Sequence, residues 1–212
     1  MSRPSPLRHS AARRSDIFDD HESVIQGQYL ENDHPVPSFG DTSQWDLRAL
    51  GWSPNTGRQT HAVNFHDYTG IWNLRAREIS MAMLNPTHSA LRSAGLFRNK
   101  VPAHPKTVRM KIDALRRFVD WLTSTTRGND LQSLQQHDFD EFLTHLKQST
   151  SPSTTRMCIA AIRELHEYST VLTGGGMTFR PWGDATTLVV SGQKNRGELT
   201  TPVIPPEVWW PL

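Results

Sequence analysis

The stretch from Lys106 to Ser124 reads KTVRMKIDALRRFVDWLTS, and its periodicity decides the fold. Val108, Ile112, Leu115, Val119 and Leu122 recur at alternating steps of four and three residues. At about 100° per residue they fall on one narrow stripe, which Phe118 and Trp121 widen along one flank. Thr107 is placed to cap the first turn through its hydroxyl. Lys106 and Lys111 sit in the first turns, while Arg109, Arg116 and Arg117 point away from the stripe. The reading is an amphipathic helix with one buried face and one mostly basic face. A solvated surface explains such a face as well, because the four-apart pairs Arg109–Asp113 and Asp113–Arg117 contribute only about 0.2–0.5 kcal/mol each.

On the N-terminal side of this helix, Val101-Pro102-Ala103-His104-Pro105 forms a stiff connector, preceded by a short helical stretch within residues 88–98. A further helix is expected over about Tyr68 to Leu84, with Ile71, Leu74, Ile79 and Met83 inward and Arg75 and Arg77 outward. Asn85-Pro86 stops it, since a residue before proline disfavours the helical region. Residues 45–66 (Trp45, Leu47, Leu50 and Trp52 apolar, Ser53 to Gly57 a turn signal) read as an irregular segment or short hairpin docked on the helices. Residues 1–44 lack apolar periodicity and read as a largely disordered tail.

On the C-terminal side, Arg127 to Asp130 is a turn, and Asp138 is expected to cap a helix over Phe139 to Gln148, with Glu141 in the capping-box position. Ser151-Pro152-Ser153-Thr154-Thr155 opens a longer helix reaching about Leu172, and Gly174-Gly175-Gly176 ends it. Met157, Ala161, Leu165 and Tyr168 face inward there, and Arg156 and Arg163 share the outer face. Residues 177–212 read as an irregular linker with a β-branched run at Thr186 to Val190, a basic patch at Lys194 and Arg196, and an interrupted apolar ending at Val208-Trp209-Trp210. The resulting fold class is mainly α, a bundle of four to five helices spanning residues 67–176.

Twenty-three Lys and Arg stand against 21 Asp and Glu, a formal net charge of +2, so only a local concentration of charge argues for a polyanionic partner. Between Arg98 and Arg117 that concentration exists: Arg98, Lys100, Lys106, Arg109, Lys111, Arg116 and Arg117 stand against Asp113 alone. The helix starts at Thr107 and at Ser153 and Thr154 add amides and hydroxyls suited to phosphate oxygens. The single cysteine, Cys158, excludes an internal disulfide framework and fits a reducing cytoplasm. No apolar run approaches the roughly 18 residues that span a bilayer. Ten histidines form no HExxH, HxH or His/Cys cluster, and the glycine run lacks the Lys-Ser/Thr of a phosphate loop. No cofactor, metal or catalytic constellation is expected.

The order of these motifs resembles the core-binding, SAM-like domain of tyrosine recombinases, or phage-type integrases. The resemblance runs through Trp72-Asn73-Leu74-Arg75 with Glu78, then KTVRMKIDALRRFVDWLTS, then Leu134 to Phe139, then SPSTTRMCIAAIRELHEYS, and finally TPVIPPEVWWPL. It implies one half of a clamp on duplex DNA, with other recombinase protomers as candidate partners. Carried onto this chain it implies DNA contacts from Lys106, Thr107, Arg109, Lys111 and Arg116, from Ser153, Thr154, Arg156 and Arg163, and from Lys194 and Arg196 in the linker. The family's strand cleavage needs a His-x-x-Arg pair and a late tyrosine. This sequence has no such pair, and its tyrosines are Tyr29, Tyr68 and Tyr168. The expectation is therefore a DNA-binding fragment or stand-alone remnant without cleavage activity. The alternatives are a helical protein–protein module and an intact enzyme whose catalytic half follows Leu212.

Overall fold

A computed structural model describes residues 14–51, 61–97, 101–125 and 127–193. In chain order they form β1 (Gln44–Asp46), β2 (Ala62–Asn64), α1 (Ile71–Leu84), α2 (Ser89–Ser93), α3 (Pro105–Ser124), α4 (Gln136–Ser149), α5 (Pro152–Glu167) and α6 (Thr187–Ser191). The class is mainly helical, with β1 and β2 paired antiparallel, Trp45 opposite Val63. The turn signal at Ser53 to Gly57 lies outside the described residues.

Helix α1 runs through the middle of the molecule. Every residue from Leu74 to Leu84 is buried, as are Ile71 and Trp72. A helix covered all round needs apolar or small residues on every face, and Ala76, Ser80 and Ala82 let neighbouring chain approach closely. Arg75 and Arg77, expected on the outer side, are each only 2% exposed. Their charges are matched by backbone acceptors supplied from distant segments, which helical periodicity does not register. Arg77 donates to the Phe39 carbonyl at 2.7 Å and lies over the Phe39 ring, and burial lowers its pKa.

Helix α3 buries the stripe read from the sequence, from Val108 to Leu122. Its ring Phe118 is packed between α1 and α4, 6.4 Å from Trp72, 5.5 Å from Phe139 and 5.1 Å from Phe142. Its start differs from expectation. His104, rather than Thr107, caps it, with Nδ1 accepting from the Lys106 amide at 3.1 Å, and Pro105 occupies the first turn. The connector thus enters the helix three residues earlier, since proline's fixed φ suits that position.

Helix α4 likewise begins earlier than expected. Asp138 is its third residue and not its cap, and its carboxylate accepts from the Gln135 amide at 2.8 Å. Helix α5 opens on Ser151, whose hydroxyl accepts from the Thr154 amide, with Pro152 following. It ends at Glu167 instead of Leu172, and a single 3₁₀ turn, Ser169–Val171, carries the chain on. The β-branched run at Thr186 to Val190, expected within an irregular linker, forms the short helix α6. Thr186 caps it, Gly192 ends it at φ 70°, and it packs against α5.

The expected disordered tail is also corrected over its described part. Residues 14–43 wrap α1 outside any named helix or strand and bury Phe18, Val24, Ile25 and Phe39. Their backbone is satisfied locally and by α1: Val24 donates to the Pro37 carbonyl, Phe39 to Glu22, and Gln26 to the Asn85 side chain. An aromatic chain then runs Phe18, Phe39, Trp45, Phe65 at centroid separations of 5.3, 6.1 and 4.8 Å. Phe18, Val24, Ile25 and Phe39 are thereby part of the core.

Candidate nucleic-acid interface

Helices α3 and α5 lie antiparallel. Lys111 meets Ala160 and Glu164, Thr107 faces Glu164 and Tyr168, and Arg117 lies near Ser149 and Thr150 at the opposite end of α5. The candidate contacts therefore separate into two groups. Lys106 and Thr107 stand at one end of the pair; Ser153, Thr154 and Arg156 stand at the other. Thr154 and Glu164 are ten residues apart on one helix, which is about 15 Å at 1.5 Å per residue.

Exposure and pairing sort the candidates further. Lys106, Thr107, Ser153 and Arg156 are exposed on the helix surface, and Thr154 is half-buried beside its Ser151 cap. Arg109 pairs with Asp113 at 3.3 Å. Arg116 pairs with Asp67, which arrives from the loop before α1, and with Asp120 at 3.6 Å. The local surplus of positive charge is consequently smaller than the linear sequence implies, because Asp67 and Asp120 join Asp113 on the outer face of α3. Such exposed pairs are weak, and phosphate oxygens can replace the aspartates at little cost.

Two candidates are engaged inside the fold. Lys111 is half-buried between α3 and α5, where its ammonium donates to Glu164 and to the Ala160 carbonyl, each at 3.2 Å. Arg163 donates to the Ala185 carbonyl ahead of α6, and burial followed by the neighbouring Arg180 charge lowers its pKa. Both hold elements together in this arrangement. Lys194, Arg196, Arg98 and Lys100 lie outside the described residues.

Arg117 is the basic side chain that spacing undervalued. It is exposed, forms no ion pair among the described residues, and borders a cavity of about 270 Å³ with Asp120, His145, Ser149 and Thr150. In the sequence Arg117 stands four residues from Asp113, so it reads as half of a surface pair. The helix instead pairs Asp113 with Arg109.

No group of three His, Cys, Asp or Glu side chains among the described residues converges to hold a metal ion. Cys158 is buried and its thiol is pushed up to about 11 by that burial, which suits packing and not nucleophilic chemistry. His61 is buried beside His104 at 6.2 Å between ring centroids, and desolvation together with that neighbour lowers its pKa. Among the described residues no helix is long and apolar enough to cross a membrane.

Residues 95–170 match the family model of the phage integrase N-terminal SAM-like domain. The match covers α3, α4 and α5, about a third of the chain, and those helices are similar to that domain. Helix α1, the wrapping segment 14–44 and α6 lie outside it. No curated protein and no solved structure matches the chain.

Proposed function

We propose that this chain binds double-stranded DNA as the core-binding part of an integrase-type recombination protein. The match of α3, α4 and α5 to the phage integrase N-terminal SAM-like domain carries this reading. The surface supports it through Lys106, Arg117 and Arg156, exposed basic side chains spread along the α3–α5 pair. Thr107, Ser153 and Thr154 add hydroxyls beside them. Arg109 and Arg116 join once phosphate displaces their aspartates, while Lys111 and Arg163 chiefly fix the spacing of the helices. Lys194 and Arg196 extend the contact by sequence position alone. These are phosphate contacts, which set position and not sequence preference. The sequence lacks the His-x-x-Arg pair that strand cleavage in this family requires, so the function proposed for this chain is binding.

A salt titration on a random-sequence duplex tests the proposal. Each neutralised phosphate releases condensed counterions and steepens the fall of log K with log[salt] by about 0.9. The triple variant K106A/R117A/R156A is expected to bind more weakly and to flatten that slope by about 2 to 3. Absence of binding at low salt, or an unchanged slope in the variant, overturns it.

One observation favours a second reading, a protein-binding role. Phe97 and Val101 are 79% and 76% exposed, and with Met83, Pro86, Ala103 and Tyr168 they line a hollow of about 680 Å³. Under that reading the triple variant leaves partner binding intact, whereas Phe97→Ala abolishes it.

A further inference from the structure

Glu78 is fully buried near the middle of α1, and none of the binding surface uses it. Its carboxylate accepts from the Ser15 hydroxyl at 2.6 Å, from the Thr173 hydroxyl at 2.5 Å and from the Thr173 amide at 2.9 Å. The Asp16 amide closes the circuit by donating to the Thr173 hydroxyl at 3.0 Å. Ser15 belongs to the wrapping segment before the family-matched domain, and Thr173 to the connection that leaves it for α6. The two are 158 residues apart and meet on one side chain.

A second α1 side chain grips the same connection. Arg75, one turn before Glu78, donates to the Gly175 carbonyl at 3.1 Å and to the Asn129 carbonyl at 2.7 Å. The glycines permit this course: Gly174 and Gly175 have φ of 76° and 82°, and a Cβ on Gly176 would fall 2.3 Å from the Ser169 Cα. The connection after α5 is therefore pinned to α1 from both ends of a three-residue stretch.

We propose that Glu78 is a latch that couples the N-terminal wrapping segment to the connection between α5 and α6, so that release of either loosens the other. The reason is shared hydrogen bonding around a desolvated carboxylate. When one donor leaves, the oxygen it served stays buried and short of partners, and the remaining bonds are weakened as a group. The coupling is reciprocal, as any linkage between two equilibria must be. It stands independently of whether the α3–α5 surface meets DNA.

Hydrogen–deuterium exchange on the full chain tests the latch. Ser15→Ala is expected to accelerate exchange several-fold at the amides of residues 172–177 as well as near residue 15. Thr173→Val is expected to accelerate it near residues 15–18 in return. Val36→Ala serves as the control, since it weakens packing of the wrapping segment without touching the latch, and its effect is expected to stay within residues 14–44. The proposal is overturned if the Ser15→Ala effect is confined to the wrapping segment. It is equally overturned if Val36→Ala disturbs residues 172–177 as strongly.

Discussion

At the scale of single residues, burial sets the chemistry. Glu78 is held above its ordinary value of 4.5 first by desolvation, which the hydrogen bonds from Ser15 and Thr173 only partly offset. The folded chain thus retains a proton that the unfolded chain releases in the window above pH 4.5. The contribution of this group to stability is full below that pH and is lost as pH rises through the folded value. Urea midpoints are expected to carry a declining component across that window in the native protein, and Glu78→Gln to remove it; identical pH profiles would contradict the assignment. Cys158 gives a second test. A thiol at about 11 is almost wholly protonated at pH 8, so a disulfide-exchange reagent should leave it unmodified until urea unfolds the chain. Rapid native labelling would show that α5 opens more readily than its packing implies.

At the scale of elements, α3 was the most legible part of the chain and its neighbours the least. The stripe from Val108 to Leu122 is apolar at helical spacing, so one helix carries its own evidence. Phe118→Ala removes a ring shared by α1 and α4 and is expected to cost about 3–5 kcal/mol, read as a loss of urea midpoint. Ser151→Ala removes the hydroxyl cap of α5 and is expected to cost about 1 kcal/mol, with the loss confined to its first turn in exchange measurements. In helix α1 the charged residues depart from what spacing predicts. Arg75 and Arg77 look like an outer face because arginine is rarely buried without partners. Their partners are carbonyls of Phe39, Asn129 and Gly175, which no local pattern reveals.

At the scale of the whole molecule, the family-matched stretch packs against segments that lie outside it. Helix α1 supplies Trp72 against Phe118, and Tyr68 just before it donates its hydroxyl to the Ile112 carbonyl. A fragment limited to residues 95–170 would expose the faces of α3 and α5 that α1 and its surroundings cover. It is expected to lack a cooperative thermal transition by circular dichroism, whereas residues 14–193 retain one. The same wrapping bears on the candidate interface, because Asp67, held beside Arg116, comes from the loop before α1. Replacing Asp67 by Asn is expected to strengthen duplex binding modestly at low salt, and unaltered affinity would argue against Arg116 as a contact.

The sequence by itself determined the helical class, the buried stripe of α3, the Ser151 and Pro152 start of α5 and the clustering of basic residues toward α3. Each of these rests on spacing within one element or on the stereochemistry of a cap, so local residues suffice. Tertiary structure alone decided that Phe18, Val24, Ile25 and Phe39 are core, that α1 is central, and that Lys111 and Arg163 are tied to Glu164 and Ala185. These depend on partners tens of residues away. Irregular backbone satisfied by distant acceptors leaves no period to read.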